Sequence, residues 1–415
     1  MRSLRLSLAL CAGLLALRAA DPPTASGVDV KAMDPSANPC QNFYQYACGS
    51  WRQSNPIPAD QSRWSRFSEL LERNQQIARG ILENVATPAN QHSVIDQKIG
   101  DFYASCMDEA AMDARGVKPI EPDLARIAAL ASKSGLTALI AQSQKEGSRP
   151  FFNLMVRADS KNSQDQIANV GQGGLTLPDR DYYLKDDPRS VELRSKYRDA
   201  VRTLFELLAK GQGKDATGAA ARAEVVLNIE TALAKAALDR VSMRNPNNTY
   251  HKMTVAELAA LAPAIDWPAF FKAAGLPHVQ TLNVGMPDFM KALNGLIEST
   301  SVADLQTYLT WQLLASKANL LPKAFRDADF DFFSHTLAGV REAPPRWKQC
   351  VQATDRALGE ALGQKYVEAA FAGNSKAKVL QLVGEIEKQM EVDIKSADWM
   401  SPATKYQALT KLSQV

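Results

Sequence analysis

Apolar residues recur at intervals of three and four over long stretches of this 415-residue chain. That spacing places them on one face of an α-helix, because the helix repeats every 3.6 residues or so. Three such stripes are clear, and each predicts a helix. They are formed by Trp64, Phe67, Leu70, Leu71, Ile77 and Ile81; by Leu193, Tyr197, Val201, Leu204 and Leu208; and by Val379, Val383, Ile386, Met390 and Ile394. The chain is therefore predicted to be mainly α.

Capping residues indicate where these helices begin. Asp60 or Ser62 is expected to cap the first of them. The pairs at 187–188 and 401–402, Asp-Pro and Ser-Pro, each combine a capping side chain with a proline at the first helical position. Proline fits there because the first helical N–H groups have no intrahelical acceptor.

One segment departs from the helical pattern. The runs FFNLMVRADS (151–160) and DQIANVGQ (165–172) flank a polar turn, KNS, and this predicts a β-hairpin. The predicted fold class is therefore a large multi-helix domain with one small β-hairpin.

Composition excludes one class of function. Hydrophobic residues make up 46% of the chain, charged residues 22%, and the net charge is +3. These are values of a globular protein. No long basic run with interleaved aromatic residues occurs, so no nucleic acid partner is expected.

The N-terminus predicts export. Arg2 and Arg5 precede an apolar run over 6–17, and Ala19 and Ala20 follow it. A run of about a dozen residues is too short to span a bilayer, which takes about 20. Basic residues, a short apolar core and small residues indicate a secretory signal peptide.

We therefore expect a signal peptide over 1–20, an irregular lead-in over 21–38, and a periplasmic or extracellular protein. No integral membrane span is expected beyond the signal peptide. Anchoring as a lipoprotein through Cys11 is disfavoured, because Leu10 is bulkier than the residue that usually precedes a modified cysteine.

Export gives meaning to the remaining cysteines, because disulfides form outside the cytoplasm. Cys40, Cys48, Cys106 and Cys350 allow three connectivities. If 40–48 is helical, its terminal Cα atoms lie about 12 Å apart, beyond the roughly 7 Å that a disulfide allows. A Cys40–Cys48 bridge is thus disfavoured, and the other two connectivities stay open, each with two bridges.

Local motifs predict no active site. The chain has no GxSxG, no phosphate-binding loop of the GxxxxGK type and no HExxH. Its four histidines, at 92, 251, 278 and 335, are far apart in sequence and each is expected to be a surface or hydrogen-bonded residue.

Eight stretches, in this order, resemble the neprilysin-like zinc metallopeptidases, peptidase family M13. They are PCQNFYQYACGSW (39–51), IPADQSRWSRFSELLERN (57–74), FYASCMD (102–108), GLTLPDRDYYL (174–184), NTYHKMTVAEL (248–258), IDWPAFF (265–271), RWKQCVQATDRALGEALGQKYVEAAF (346–371) and DWMSPATKYQALTKL (398–412). The match is to the N-terminal half of the family.

The resemblance implies that residues 39–415 form the family's N-terminal helical domain. In the family this domain faces a thermolysin-like catalytic domain across an enclosed cavity that admits oligopeptides. The catalytic domain supplies HExxH and the zinc ion, which activates a water molecule for peptide hydrolysis. We therefore expect the catalytic domain to be missing after 415, and this chain, which lacks HExxH, to bind no zinc and to be inactive alone.

The resemblance also implies roles for individual residues. Cys106 is expected to pair with Cys350, whereas Cys40 and Cys48 are expected to pair with cysteines of the catalytic domain. This replaces the expectation of two bridges within the chain. Arg63 matches a family arginine that contacts the carboxylate end of a bound peptide. Five residues further on, Ser68 stands where the family has an acid.

Two other hypotheses compete with that of half a zinc peptidase. One is a stand-alone, non-catalytic peptide-binding or scaffold module, and the other is an unrelated helical protein of the periplasm. A module that works alone in an oxidising compartment is expected to lose unpaired thiols or to use them in a dimer. The presence of both Cys40 and Cys48 therefore favours half of a longer peptidase.

Overall fold

The computed structural model describes residues 29–371 and 373–415, which form seventeen α-helices and four short strands. The predicted signal peptide, Cys11 and residues 21–28 lie outside this part. The helices are α1 (Phe43–Ser54), α2 (Arg66–Val85), α3 (Val94–Met107), α4 (Glu109–Arg115), α5 (Glu121–Ala128), α6 (Leu136–Lys145), α7 (Asp181–Leu184), α8 (Pro188–Gly211), α9 (Ala219–Ala236), α10 (Val255–Leu261), α11 (Trp267–Ala273), α12 (Pro287–Ser299), α13 (Val302–Lys317), α14 (Lys323–Asp329), α15 (Arg346–Ala370), α16 (Ser375–Ser396) and α17 (Pro402–Leu412). The strands are β1 (Phe152–Ala158), β2 (Gln166–Gln172), β3 (Lys252–Thr254) and β4 (Thr281–Val284). The mainly helical class is confirmed.

The chain divides into two compact units. The described part of the first comprises residues 29–58 and 63–68, and the second comprises residues 59–62 and 69–415. In the first unit, the Gln45 side chain donates to Asp34 at 2.9 Å, and the Ser50 hydroxyl donates to the Met33 carbonyl at 2.6 Å. These bonds fold the lead-in back against α1.

Aromatic side chains fill the main core of the second unit. The Phe152 ring lies 5.1 Å from those of both Trp267 and Phe270, and Tyr197 lies 5.9 Å from Trp311, measured between ring centroids. All five side chains are fully buried. Each buried ring of this size contributes up to about 3 kcal/mol through removal of apolar surface from water.

The sheet contains the predicted hairpin and two strands that were not predicted. β1 and β2 pair antiparallel, which confirms the hairpin. β4 pairs parallel with β2 and antiparallel with β3, so the strand order is β1-β2-β4-β3. β3 and β4 have only three and four residues, too few to show an alternating pattern.

A smaller core lies where α2, α3 and α15 meet. Its buried residues include Leu82, Ile99, Tyr103 and Leu362. α3 crosses the end of α2 so closely that a Cβ atom on Gly100 would lie 2.1 Å from the Val85 carbonyl oxygen. Only glycine permits this approach.

The three apolar stripes correctly predict helices but only one of them is the buried face. Tyr197, Val201, Leu204 and Leu208 of α8 are buried. In α2 the buried residues are instead Gln75, Ala78, Leu82 and Val85, and in α16 none is buried. The exposed stripe residues are Phe67, Leu70 and Leu71 of α2 and Val379, Val383, Ile386 and Met390 of α16. No described element covers them, and periodicity alone cannot show what covers a stripe.

Two of the predicted helix starts are confirmed and one is wrong. Asp187 and Ser401 cap α8 and α17, each with proline following. α2 begins later than expected, after Ser65, whose hydroxyl accepts from the Ser68 N–H at 3.3 Å. Asp60 does not cap it, because its carboxylate pairs with a lysine of α15.

Among the described helices, none has the length and apolarity that a bilayer span requires.

Candidate functional site

A disulfide ties α3 to α15. The structure joins Cys106 and Cys350, with Cα atoms 5.7 Å apart, as the family resemblance implies. Arg346 donates from Nε to the Cys106 carbonyl oxygen at 2.9 Å and so reinforces the same junction. The two cysteines are 244 residues apart in sequence. The bridge therefore closes most of the second unit into one covalent loop.

The other two described cysteines are free thiols. Cys40 is exposed and precedes α1, and Cys48 is half-buried within α1. Cys40 therefore lies outside the helix that was assumed to contain both cysteines. The two cysteines nevertheless do not pair with each other. The expectation of two bridges within the chain is wrong for the described residues. Pairing with cysteines of a catalytic domain stays a prediction.

Arg63 lies in the first unit, exposed, three residues before α2. No hydrogen bond or ion pair engages its guanidinium within residues 29–371 and 373–415. The neighbouring Arg66 differs, because it pairs with Asp29 and lies over the Trp51 ring at 5.1 Å. Arg63 is thus available to a ligand, and its contact with a peptide carboxylate stays a prediction.

A buried lysine holds the loop 59–62. Lys348 of α15 is 5% exposed, and its ammonium lies 2.7 Å from carboxylate oxygens of both Asp60 and Glu72. Burial acts to lower the pKa of Lys348, but hydrogen bonds to Asp60 and Glu72 outweigh it and raise the pKa above its usual value. The loop is held further by the Ala59 carbonyl, which accepts from the N–H groups of Arg341 and Glu342 at 3.0 Å each.

A buried carboxylate fixes the segment GLTLPDRDYYL. Glu230 of α9 is fully buried and accepts from the hydroxyls of Thr176 (2.6 Å), Tyr183 (2.8 Å) and Tyr197 (2.6 Å). The Gln312 side chain of α13 adds a fourth donor at 3.3 Å. Thr176 and Tyr183 belong to the segment, so one carboxylate joins it to three helices.

No cation pairs with Glu230 in the described part of the chain. Burial therefore raises the pKa of Glu230 to about 7, although the hydrogen bonds from Thr176, Tyr197 and Tyr183 act to lower it. Burial, with the nearby Glu230 charge, also raises the pKa values of Tyr183 and Tyr197 well above their usual value.

An open cavity of about 500 Å³ lies between α2 and α15. The sequence patterns missed its polar residues, as they missed Lys348 and Glu230. A signal was available only for Glu230. It occupies a helix position whose neighbours at three- and four-residue spacing, such as Val226 and Leu233, are buried and apolar.

The described residues do not fit a zinc ion. Within residues 29–371 and 373–415, no group of three or more His, Cys, Asp or Glu side chains could hold a metal. Two of the histidines contact backbone carbonyl groups instead. His251 Nδ1 lies 3.2 Å from the Val284 carbonyl oxygen, and His335 Nδ1 lies 2.8 Å from that of Val340. We therefore derive no catalytic step through zinc from these residues.

Comparison with known proteins identifies the family. Residues 39–415 match the N-terminal model of peptidase family M13. Endothelin-converting enzyme 1 of Rattus norvegicus is 33% identical over 396 residues, which are 93% of this chain and 51% of the relative. Neprilysin-3 of Drosophila melanogaster is 30% identical, over 94% of this chain and 52% of its own length.

A solved structure agrees. Zinc metalloprotease Zmp1 of Mycobacterium tuberculosis, in complex with an inhibitor, superposes with a TM-score of 0.85 at 29% identity, covering 94% of this chain and 58% of that one. The chain belongs to peptidase family M13. It spans about half the length of the curated relatives that it matches.

Proposed function

We propose that this chain is the N-terminal, substrate-enclosing half of an exported zinc metalloendopeptidase that cleaves oligopeptides. The observation that carries the proposal is the family match over 39–415 together with relatives about twice as long. A second half supplies the zinc ion and HExxH. Residues 39–415 act as one domain that restricts access by size, and they make no bond to the metal.

Two features of the described residues support a second half. The stripe Val379, Val383, Ile386 and Met390 of α16 is apolar and exposed, and such a surface is normally covered. The free thiols of Cys40 and Cys48 are also suited to partners elsewhere. Export is supported by the Cys106–Cys350 bridge, because reducing compartments disfavour disulfides.

Within this function, Arg63 binds the C-terminal carboxylate of the peptide. Guanidinium can grip a carboxylate through two parallel hydrogen bonds. In the native protein, Arg63→Ala should raise KM about 10-fold or more for peptides with a free C-terminus, since a charged hydrogen bond contributes about 1.5–3 kcal/mol. C-amidated peptides should be affected little. Arg73→Ala, which changes an exposed arginine of α2, is the control. It should leave KM unchanged for both kinds of peptide.

Peptidase activity tests the proposal as a whole. The protein purified from its native source should cleave a fluorogenic oligopeptide, lose that activity with 1,10-phenanthroline and regain it with zinc. The 415-residue chain alone should not cleave the peptide. Chelator-sensitive cleavage by the 415-residue chain alone would overturn the proposal that a second half supplies the catalytic residues.

The alternative is a stand-alone, non-catalytic peptide-binding or scaffold module. A native protein of 45.3 kDa or less with no peptidase activity would favour this alternative. The cavity between α2 and α15 would then be the first place to look for a bound peptide.

A further inference from the structure

The cavity between α2 and α15 is created by opposed helix faces and a kink. Leu71, Asn74, Gln75 and Ala78 lie on one face of α2, because they are spaced by three and four residues. α15 departs from helical geometry at Leu358, with φ −134° and ψ 32°. Residues from both sides of this kink line the cavity, so the bend shapes it. Its volume of about 500 Å³ lies in the range of sites that bind small ligands.

Gln75 is the feature that points to a ligand. The residue is only 7% exposed and lines the cavity, yet its amide has no hydrogen-bond partner among the described residues. In the described part of the chain, the Tyr103 hydroxyl is the one buried side-chain polar atom without a partner, so the unpartnered Gln75 amide must be open to the cavity that it lines. A ligand in the cavity can both donate to and accept from this side chain.

Asn74 adds an oriented donor beside it. The Tyr366 hydroxyl donates to Asn74 Oδ1 at 2.8 Å, which fixes the amide and leaves its NH₂ group free to donate. The walls near these amides are apolar, formed by Ala78, Val351 and Leu362, all buried. The cavity therefore combines amide groups with an apolar wall.

The charges do not favour an anionic ligand such as a nucleotide. Asp355 and Arg356 both line the cavity and are both exposed, so the two charges offset each other. Recognition of a phosphate would need several cations or N–H groups directed at it. A neutral ligand rich in amides and carrying an apolar group fits best, and a peptide has both.

We propose that this cavity binds a short extended stretch of peptide, with its backbone amides on Gln75 and Asn74 and one apolar side chain against Val351 and Leu362. The inference rests on the proposed function and names a binding site within it. The cavity recognises neither peptide terminus, so it acts separately from Arg63.

Binding by the 415-residue chain tests the inference without zinc or catalysis. The probe is an N-acetylated, C-amidated tetrapeptide of glycine, leucine and valine, and a glycine–serine peptide of equal length is the control probe. Titration calorimetry measures affinity, and hydrogen–deuterium exchange locates the site. The apolar peptide should bind and protect residues 71–78 and 351–366, and the control peptide should bind at least 10-fold more weakly. No binding of the apolar peptide at millimolar concentration would overturn the inference.

Two variants separate the cavity from other surfaces. Gly363→Leu should abolish binding, because a Cβ atom on Gly363 meets nothing within 4 Å and the added side chain fills the cavity. Gln75→Leu should weaken binding 3- to 10-fold, equivalent to one lost hydrogen bond of about 0.5–1.5 kcal/mol. It should leave the melting temperature unchanged, since leucine is similar in size and the Gln75 amide has no hydrogen bond to lose, so weaker binding cannot be attributed to unfolding.

Matched controls change the same residue types outside the cavity. Gly384→Leu on α16 also enters open space, and Gln76→Leu changes the exposed neighbour of Gln75. Both control variants should bind the apolar peptide as tightly as the unmodified chain does. Equal binding by Gly363→Leu and Gly384→Leu would contradict the inference. Peptide binding here, with no peptidase activity in the native protein, would refute the proposed function and leave the cavity assignment standing.

Discussion

Replacing Glu230 by glutamine should change how stability depends on pH. The folded-state pKa of Glu230 is raised from 4.5 to about 7 by burial. The folded protein therefore binds a proton between pH 4.5 and 7 that the unfolded chain releases. Stability from this group is fully present below pH 4.5 and is lost as the pH rises to about 7.

The magnitude follows from the two pKa values. The rise of the pKa from 4.5 to about 7 corresponds to about 3 kcal/mol in total, at 1.36 kcal/mol per pH unit. Most of this, about 2–3 kcal/mol, falls between pH 5 and pH 8. Glutamine keeps the shape and one acceptor oxygen but does not titrate. Between pH 5 and pH 8, Glu230→Gln should therefore lose about 2–3 kcal/mol less stability than the unmodified protein.

Urea unfolding at pH 5 and pH 8 measures this difference directly. Comparing the two proteins at both pH values cancels every other titrating group. Glu224→Gln, a half-exposed glutamate of the same helix paired with Arg198, is the control and should change by less than about 0.5 kcal/mol. An equal loss of stability for Glu230→Gln and the unmodified protein would refute the assignment of a raised pKa to buried Glu230.

Three further substitutions test the small core and its ties. Tyr103→Phe should leave the free energy of unfolding unchanged or raise it by about 1 kcal/mol, because the Tyr103 hydroxyl is buried without a partner in the described structure. Lys348→Met should lower it by about 2–3 kcal/mol, since two carboxylates lose their buried partner. Replacing Cys106 and Cys350 by alanine should lower it by up to about 4–5 kcal/mol on the chain-entropy model. Urea unfolding measures all three.

Each substitution has a matched control. Tyr366→Phe removes a hydroxyl that does donate a hydrogen bond, and should cost about 1 kcal/mol. Lys388→Met breaks an exposed ion pair and should cost less than about 0.5 kcal/mol. Cys40→Ala changes an exposed free thiol and should be neutral. If Lys348→Met or the double cysteine substitution behaved like its control, the corresponding contact would not stabilise the fold as described. A cost of about 1 kcal/mol for Tyr103→Phe, equal to that of its control, would contradict the absence of a partner for the Tyr103 hydroxyl.

The sequence predicts local structure here better than it predicts burial. The stripe of α8 gives both a helix and its buried face, because that face packs into the main core. The equally regular stripe of α16 gives the helix but is exposed, since what covers a stripe depends on residues far away in the chain. β3 and β4 could not be predicted, because their pairing with each other and with β2 joins strands distant in sequence.

The same limit applies to the candidate site. The Cys106–Cys350 pair followed from family resemblance, whereas spacing left two connectivities open. Lys348 reaches Asp60 across 288 residues, and no local pattern relates them. The burial of Gln75 could not be predicted, because Glu72 and Arg79 stand at three- and four-residue spacing from it. Its lack of a partner could be seen only once α2 and α15 were in place.

The most direct test of the central claim is to sequence the native transcript through and beyond the codon for Val415. The account predicts an open frame that continues into a region with HExxH and with cysteines able to pair with Cys40 and Cys48. A stop codon directly after Val415 would contradict it, and the protein would then be a non-catalytic module.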